Sequence, residues 1–382
     1  MSIKLGIIGG GQLAWMMGDA AQKLGVKLIV QTPNQDDPAV SIAQKTVFAA
    51  VDDAAATEIL ASQCDVITFE NEFVNLDALS LLEKQGVCFR PRLAALSPLL
   101  DKYHQRCYLQ DLGLPVPEFF AVEKSEDIHT KIGYLGFPIV VKARRHGYDG
   151  QGTFIIHDLA TLLTVVNQNR TQFLVEAFVP FARELAIIAA RSVNGEIVTY
   201  PVVETQQEQQ VCRRVIAPAD ITPQQAAEIQ AIAHTLLNSL QVVGVFGIEL
   251  FITTDGKILV NEIAPRTHNS GHFSIDACET SQFEQHLRAV CGLPLEDTQL
   301  NCTSAIMVNL LGYENSHSNY ENQRQQLAKI PRSHLHWYGK TESRPGRKLG
   351  HLTVLLEQQN QHTALDIIHK IESIWYPPEK IS

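Results

Sequence analysis

A chain of 382 residues is too long for one ordinary core, and 45% hydrophobic content is enough to fill two or three. A formal charge of −10 argues against a general nucleic-acid surface, so an anionic ligand has to be held by a local site. The seven cysteines include no CxxC pair and read as reduced core thiols, and the longest apolar runs fall far short of the roughly 20 residues of a membrane span; a cytoplasmic location is expected.

Residues 1–90 alternate between short apolar runs at 3–8, 26–30, 46–50, 65–70 and 87–90 and helix-like segments at 12–24 and 75–85. That rhythm predicts βαβ units and a parallel sheet with helices on its faces. The first strand runs into GGGQLA (9–14), a G-x-G-x-x-A turn that lets backbone approach a phosphate. A tight βα turn of any doubly wound sheet reads the same way. Gln31 stands where a dinucleotide site places an acid on the ribose, so a smaller phosphorylated ligand is expected.

Ser97 followed by Pro98 predicts an N-cap and first helical residue, with the helix running to about Leu112 before GLPVP breaks it. The expected domains are 1–100, 101–300 with a lid at about 115–180, and 301–382. Next comes GFPIVVKARRHGYDGQGTFII (136–156), two strands joined by a loop with three glycines. Lys142 closes the first strand, either as an edge lysine or as the countercharge to phosphates folded under Gly147, Gly150 and Gly152. A plain flexible hairpin is the bland alternative.

VFGIELFI (245–252) and KILVNEI (257–263) are strands separated by TTDG. If Asp255-Gly256 is a two-residue turn, Glu249 stands opposite Glu262 on the same face. Like charges roughly 4.5–5.5 Å apart across a sheet repel and ask for a cation. Two carboxylates without a histidine or cysteine cluster favour Mg²⁺; a solvated pair on an exposed face is the alternative. Glu262 opens NEIAPRTHNSGH (261–272), a stretch too polar to bury itself.

Lys142, the GYDGQG loop, FLVEAFV (173–179), Glu184, Glu249 and Asn261-Glu262 together resemble the ATP-grasp superfamily. GGGQLA, RRHGYDGQG, NEIAPRTHNSGH and HLHWYGKTESRPGRKLGHL (334–352) are similar in order and spacing to the 5-(carboxyamino)imidazole ribonucleotide synthetase family, over essentially the whole chain. The resemblance implies an α/β fold: an N-terminal parallel-sheet pre-ATP-grasp domain followed by a two-part ATP-grasp fold. It implies a ligase that carboxylates 5-aminoimidazole ribonucleotide with bicarbonate and ATP through carboxyphosphate, with Mg²⁺ or Mn²⁺, as a homodimer, without nucleic acid or membrane partners.

The resemblance also distributes roles. ATP phosphates fall to Lys102, Lys142, Gly147, Tyr148, Asp149, Gly150, Gln151, Gly152 and Thr153; adenine to Glu176, Ala177, Phe178 and Val179; ribose to Glu184; further ATP contacts to Gln207, Asn261 and Glu262; and metal to Glu249 and Glu262. Arg266 offers a planar fork to the anions and His268 a proton acceptor for the attacking amine. Gln12, Leu13, Glu72, Asn269 and Ser270 face the ribonucleotide. Lys340 and Arg347 hold its phosphate, Lys340 counting also among the catalytic residues; a solvated basic loop is the alternative for this cluster. His272 could be structural. The chain departs from the family pattern with Lys102 and Arg106 where an Arg then a Lys is common, with ENEF at 70–73, and with Gln207 where a His is usual. A formate-using sibling ligase and a silent nucleotide-binding protein are the rival functions.

Overall fold

The computed structural model describes residues 2–122, 131–145, 152–168, 171–358 and 361–376. At the N-terminus four parallel strands form a sheet: Lys4–Ile8 between Lys27–Thr32 and Val66–Phe69, with Lys45–Phe48 at the edge. Strand residues alternate between two cores, as a sheet covered on both faces requires. Leu5, Ile7, Leu28, Val30 and Val66 pack with Phe283 and Leu287 on one side, and Ile8, Ile29, Ile67 and Phe69 pack with Leu60, Leu79 and Leu82 on the other. The segment expected as a fifth strand contributes only one bridge, Phe89 to Ile67. The helix expected over 12–24 breaks into Gln12–Trp15 and Gly18–Leu24.

The expected cap at Ser97 is also corrected. Ser97–Leu99 is a short 3-10 turn, and the helix begins at Lys102 because the Asp101 carboxylate accepts from Tyr103 N at 2.9 Å and His104 N at 3.3 Å. Asp binds both free amides of the first turn. The same carboxylate takes Arg144 Nε at 2.8 Å, and Lys102 N donates to Arg144 O at 2.9 Å. The helix carrying Lys102 and Arg106 is thereby tied to the strand carrying Lys142.

That strand belongs to a small antiparallel sheet ordered Phe119–Val122, Phe173–Ala177, Ile139–Ala143, Thr153–Ile156. Facing it is a nine-stranded antiparallel sheet whose edge is the hairpin Gly244–Thr253 and Ile258–Ala264. Helix Pro223–Leu240 covers this end, started by a capping box between Thr222 and Gln225. Its buried residues Ile229, Ile232, Ala233, Leu236, Leu237 and Leu240 form one stripe against Leu185, Ile187, Ile248 and Leu250. The sheet passes straight through residue 301, because Val211–Ala217 pairs with Ser304–Leu311, which pairs with Lys348–Leu356. Helix Gln361–Trp375 covers that far half.

The N-terminal sheet docks onto the large sheet through a buried histidine. His286 Nδ1 accepts from Val245 N at 3.1 Å, which leaves Nε2–H for Thr68 Oγ1 at 2.9 Å. Burial lowers its pKa to about 4, keeping it neutral. Among the described residues no helix is long and apolar enough to cross a membrane.

Candidate active site

Glu249 and Glu262 do stand opposite each other, by a route other than the expected one. The hairpin loop has three residues, not two: Thr253 N donates to Lys257 O at 2.9 Å, and Gly256 takes a φ of 84°. Taken alone, that loop would put Glu249 opposite Asn261. A β-bulge between Glu249 and Leu250 restores the acid pair and leaves Asn261 as the extra residue. Consecutive residues of a regular strand face opposite ways, whereas here Asn261 and Glu262 both reach the site. Asn261 Nδ2 donates to Glu249 Oε2 at 3.2 Å and its Oδ1 accepts from Lys142 Nζ at 3.0 Å.

The acids differ electrostatically. Burial, followed by repulsion from Glu262 and Glu184, raises the Glu249 pKa to about 7. Burial also pushes Glu262 upward, but Lys102, hydrogen-bonded to it, and then Lys142 and Arg106 bring it below the ordinary value. The two side chains are 29% and 41% exposed, so both open onto the cleft between the sheets.

Lys142 is held from beneath. Glu176, 3% exposed, bonds Lys142 at 2.7 Å and Arg106 Nε on its other oxygen, and Arg106 Nη2 donates to Asn261 O at 2.5 Å. Burial opposes ionisation of Glu176, but Arg106 and Lys142 outweigh it and take its pKa down to about 2. The Glu176 carboxylate therefore fixes Lys142 while the chain beyond it, through Ala177, Phe178 and Val179, comes to the surface. Glu184, whose pKa burial raises to about 7, is hydrogen-bonded by Gln207. Gly152 and Thr153 open the strand after the glycine loop, and Gly152 O accepts from Ala143 N at 2.7 Å. Gly147, Tyr148, Asp149, Gly150 and Gln151 lie outside the described residues.

On the other side of the acids the polar stretch reaches the N-terminal unit. Arg266 forms a two-pronged pair with Glu72, Nε at 2.6 Å and Nη2 at 3.1 Å. His268 packs on Gly247, where a Cβ would come within 2.5 Å of the histidine Cβ. Its Nδ1 lies 2.8 Å from Ser270 Oγ and its Nε2 3.5 Å from Glu249 Oε1. Asn269 is buried in a reciprocal amide pair with Asn309, at 3.0 and 2.7 Å. The Asn269 and Ser270 side chains thus already have partners inside the protein. His272 is fully buried.

Gln12 and Leu13 begin the helical turn after the glycines, with Leu13 in the core. The amides of Gly11 and Leu13 go to the Glu70 carboxylate, so the turn does not present them to an outside anion. A cleft of about 560 Å³ opens beside it, lined by Gly9, Gly10, Thr32, Asp52, Glu70 and Asn71. Tyr338 packs edge-on against Trp15 at 6.2 Å, bringing the segment with Lys340 to this turn. Lys340 Nζ donates to Lys348 O at 2.8 Å and Arg347 Nη1 to Glu342 O at 2.9 Å.

Several residues that support the site carry no motif in the sequence. Gln105, 3% exposed, clamps the strand bearing Glu262 by accepting from Ile263 N at 2.9 Å and donating to Ile263 O at 3.2 Å. Asp101 was legible as an acid directly before a helical run. Arg106, a departure from the family pattern, is a buried partner of Glu176.

Family models match three consecutive stretches: a ribonucleotide synthetase preATP-grasp domain at 2–98, an ATP-grasp domain at 107–283, and a phosphoribosylaminoimidazole carboxylase C-terminal domain at 305–364. The chain is 54% identical to an N5-carboxyaminoimidazole ribonucleotide synthase of Synechococcus elongatus, over 98% of this chain and 96% of that protein. It superposes with a TM-score of 0.89 on the N5-carboxyaminoimidazole synthetase of Staphylococcus aureus complexed with ADP, at 35% identity and 97% coverage of both chains. The Aspergillus clavatus synthase in complex with ADP and 5-aminoimidazole ribonucleotide matches with a TM-score of 0.89 at 29% identity, over 97% of this chain and 98% of that one. The chain belongs to the N5-carboxyaminoimidazole ribonucleotide synthase family of ATP-grasp ligases.

Proposed function

We infer that this chain carboxylates 5-aminoimidazole ribonucleotide with bicarbonate at the expense of ATP, giving 5-(carboxyamino)imidazole ribonucleotide, ADP and phosphate by way of carboxyphosphate. The observation that carries the inference is the continuity from Lys142 and Asn261, through the facing acids Glu249 and Glu262, to His268, Arg266 and Glu72. One end is built for phosphoryl groups and the other meets the N-terminal glycine turn.

The acid pair fits Mg²⁺ or Mn²⁺: its donors are oxygens, it opens onto the cleft, and burial with mutual repulsion holds Glu249 protonated up to about 7 until a cation relieves it. When bound, the dication supplies neutralisation of the triphosphate charge. Lys142 and Lys102 add fixed positive charge where the γ-phosphoryl group leaves for bicarbonate, a transfer governed by position and electrostatics. Glu184 meets the ribose and the 176–179 chain the adenine. Arg266, aimed by Glu72, orients carboxyphosphate away from water. His268, whose ring lies between Ser270 and Glu249, takes the proton that the amine loses on attack. Lys340 and Arg347 bind the ribonucleotide phosphate. A cytoplasmic homodimer is part of this reading, an assembly that light scattering would test.

The test follows ADP release with Mg-ATP, bicarbonate and 5-aminoimidazole ribonucleotide. Turnover requires all three. ADP release that ignores the ribonucleotide, or that accepts formate in place of bicarbonate, removes the assignment.

A further inference from the structure

Between the turn Ser274–Ala277 and the C-terminal half of the large sheet lies a group of histidines that the carboxylation does not use. Strand Ser333–Trp337 carries His334 and His336, and strand Lys348–Leu356 carries His351 directly opposite His336. Asp276 reaches across from the turn, with Oδ2 2.9 Å from His336 Nε2 and Oδ1 3.6 Å from His334 Nδ1. One ligand atom each from Asp276, His336 and His351 lies within 4.8 Å of the others.

A second observation marks the place as unfinished. His351 and its neighbour His272, with rings 5.2 Å apart, are both 0% exposed, and the Nε2 of each has no hydrogen-bond partner. A buried polar atom left unpaired costs about 1–3 kcal/mol, and the one on His351, grouped with a carboxylate only 10% exposed, calls for a guest. His351 is prepared for one. Its Nδ1 lies 2.7 Å from the Tyr338 hydroxyl, and with Nδ1–H donated there Nε2 carries the lone pair that a cation takes. A histidine ligand whose second nitrogen is held this way is the usual arrangement at metal centres.

We propose that Asp276, His336 and His351 form a site for a transition-metal dication of the zinc class, separate from the acid pair at the phosphate end. Two imidazoles and one carboxylate suit zinc and its neighbours, whereas an all-oxygen pair suits magnesium. The rings of His336 and His351 are nearly parallel, at 16° with centroids 4.6 Å apart. Sharing one cation therefore turns the His336 ring about its Cβ–Cγ bond while Tyr338 keeps His351 fixed. His336 lies on the edge strand and is 23% exposed, which gives it room to turn and the ion a way in. The bound ion would staple the turn that follows the 261–272 polar stretch to the HLHWY strand, and so hold together the two sides of the acceptor site.

The experiment uses tag-free, chelator-treated full-length protein in excess Mg²⁺, which keeps Glu249 and Glu262 filled. Zn²⁺ is titrated calorimetrically and Co²⁺ by its visible absorption. One equivalent should bind with a Kd below about 1 μM, and Zn²⁺ should raise the unfolding temperature. Binding should weaken at least about tenfold in His336→Gln and in Asp276→Asn, and survive in Glu262→Gln. His336 is partly exposed, so its variant should fold, and unfolding without added metal checks that. Absence of stoichiometric binding, binding that survives both substitutions, or binding lost in Glu262→Gln would overturn the proposal.

Discussion

Replacing Glu176 by Gln removes the anion hydrogen-bonded to both Arg106 and Lys142, which are 2% and 12% exposed. Two routes give the size of the effect. Breaking a buried pair by deleting one partner leaves uncompensated charge and costs about 3–5 kcal/mol. Independently, a glutamate whose pKa falls from 4.5 to about 2 is stabilised as the anion by about 3 kcal/mol. Because the folded value is depressed, that stability is fully present above pH 4.5 and fades as the pH drops toward 2. Urea unfolding at neutral pH should therefore show Glu176→Gln weaker by about 3 kcal/mol, and the gap should narrow as the solution is acidified below 4.5. Arg106→Gln in the same chain should recover part of the loss, since one stranded cation is then gone. A loss below about 1 kcal/mol, the worth of an exposed pair, or a gap indifferent to acid, would refute the description of this triad as a buried electrostatic unit.

Four further outcomes follow from the same geometry. Mg²⁺ should bind more tightly as the pH rises through about 7, because Glu249 must lose its proton; calorimetry across pH should show the dependence in wild type and lose it in Glu249→Gln. The same raised pKa means that metal-free protein loses stability between pH 4.5 and 7, since the folded state then holds a proton the unfolded state has released. Lys340→Ala or Arg347→Ala should raise the KM for the ribonucleotide much more than that for ATP, and equal effects would misplace the phosphate site. Gly247→Ala, whose new Cβ would sit 2.5 Å from that of His268, should lower kcat at least about tenfold with the KM for ATP little changed; full turnover would remove His268 from the reaction.

The N-terminal parallel sheet was legible because its periodicity is local: each apolar run is bounded by glycine or a cap, and both faces are apolar. The missed features there were places where one side chain overrode the pattern. Asp101, by accepting two amides and an arginine, took the helix start from Ser97-Pro98. The glycine turn was legible as a turn, but not its occupant, since Glu70 arrives from a different strand end.

The acid pair shows how a correct contact can rest on an incomplete local account. Asp255-Gly256 announces a hairpin, yet nothing in the composition distinguishes a two-residue loop from a three-residue loop compensated by a bulge five residues away on the strand. The bulge has a chemical consequence that the simpler hairpin lacks. A regular ladder would send Asn261 to the apolar face while Glu262 faced the cleft. With the extra residue inserted, Asn261 joins Lys142 to Glu249, and Arg106 takes the Asn261 carbonyl left outside the regular ladder. The lysine proposed to meet phosphate and the acids proposed to hold metal are thus held by one irregular residue. Filling the bulge back to a regular register would separate them even with every charged side chain still present.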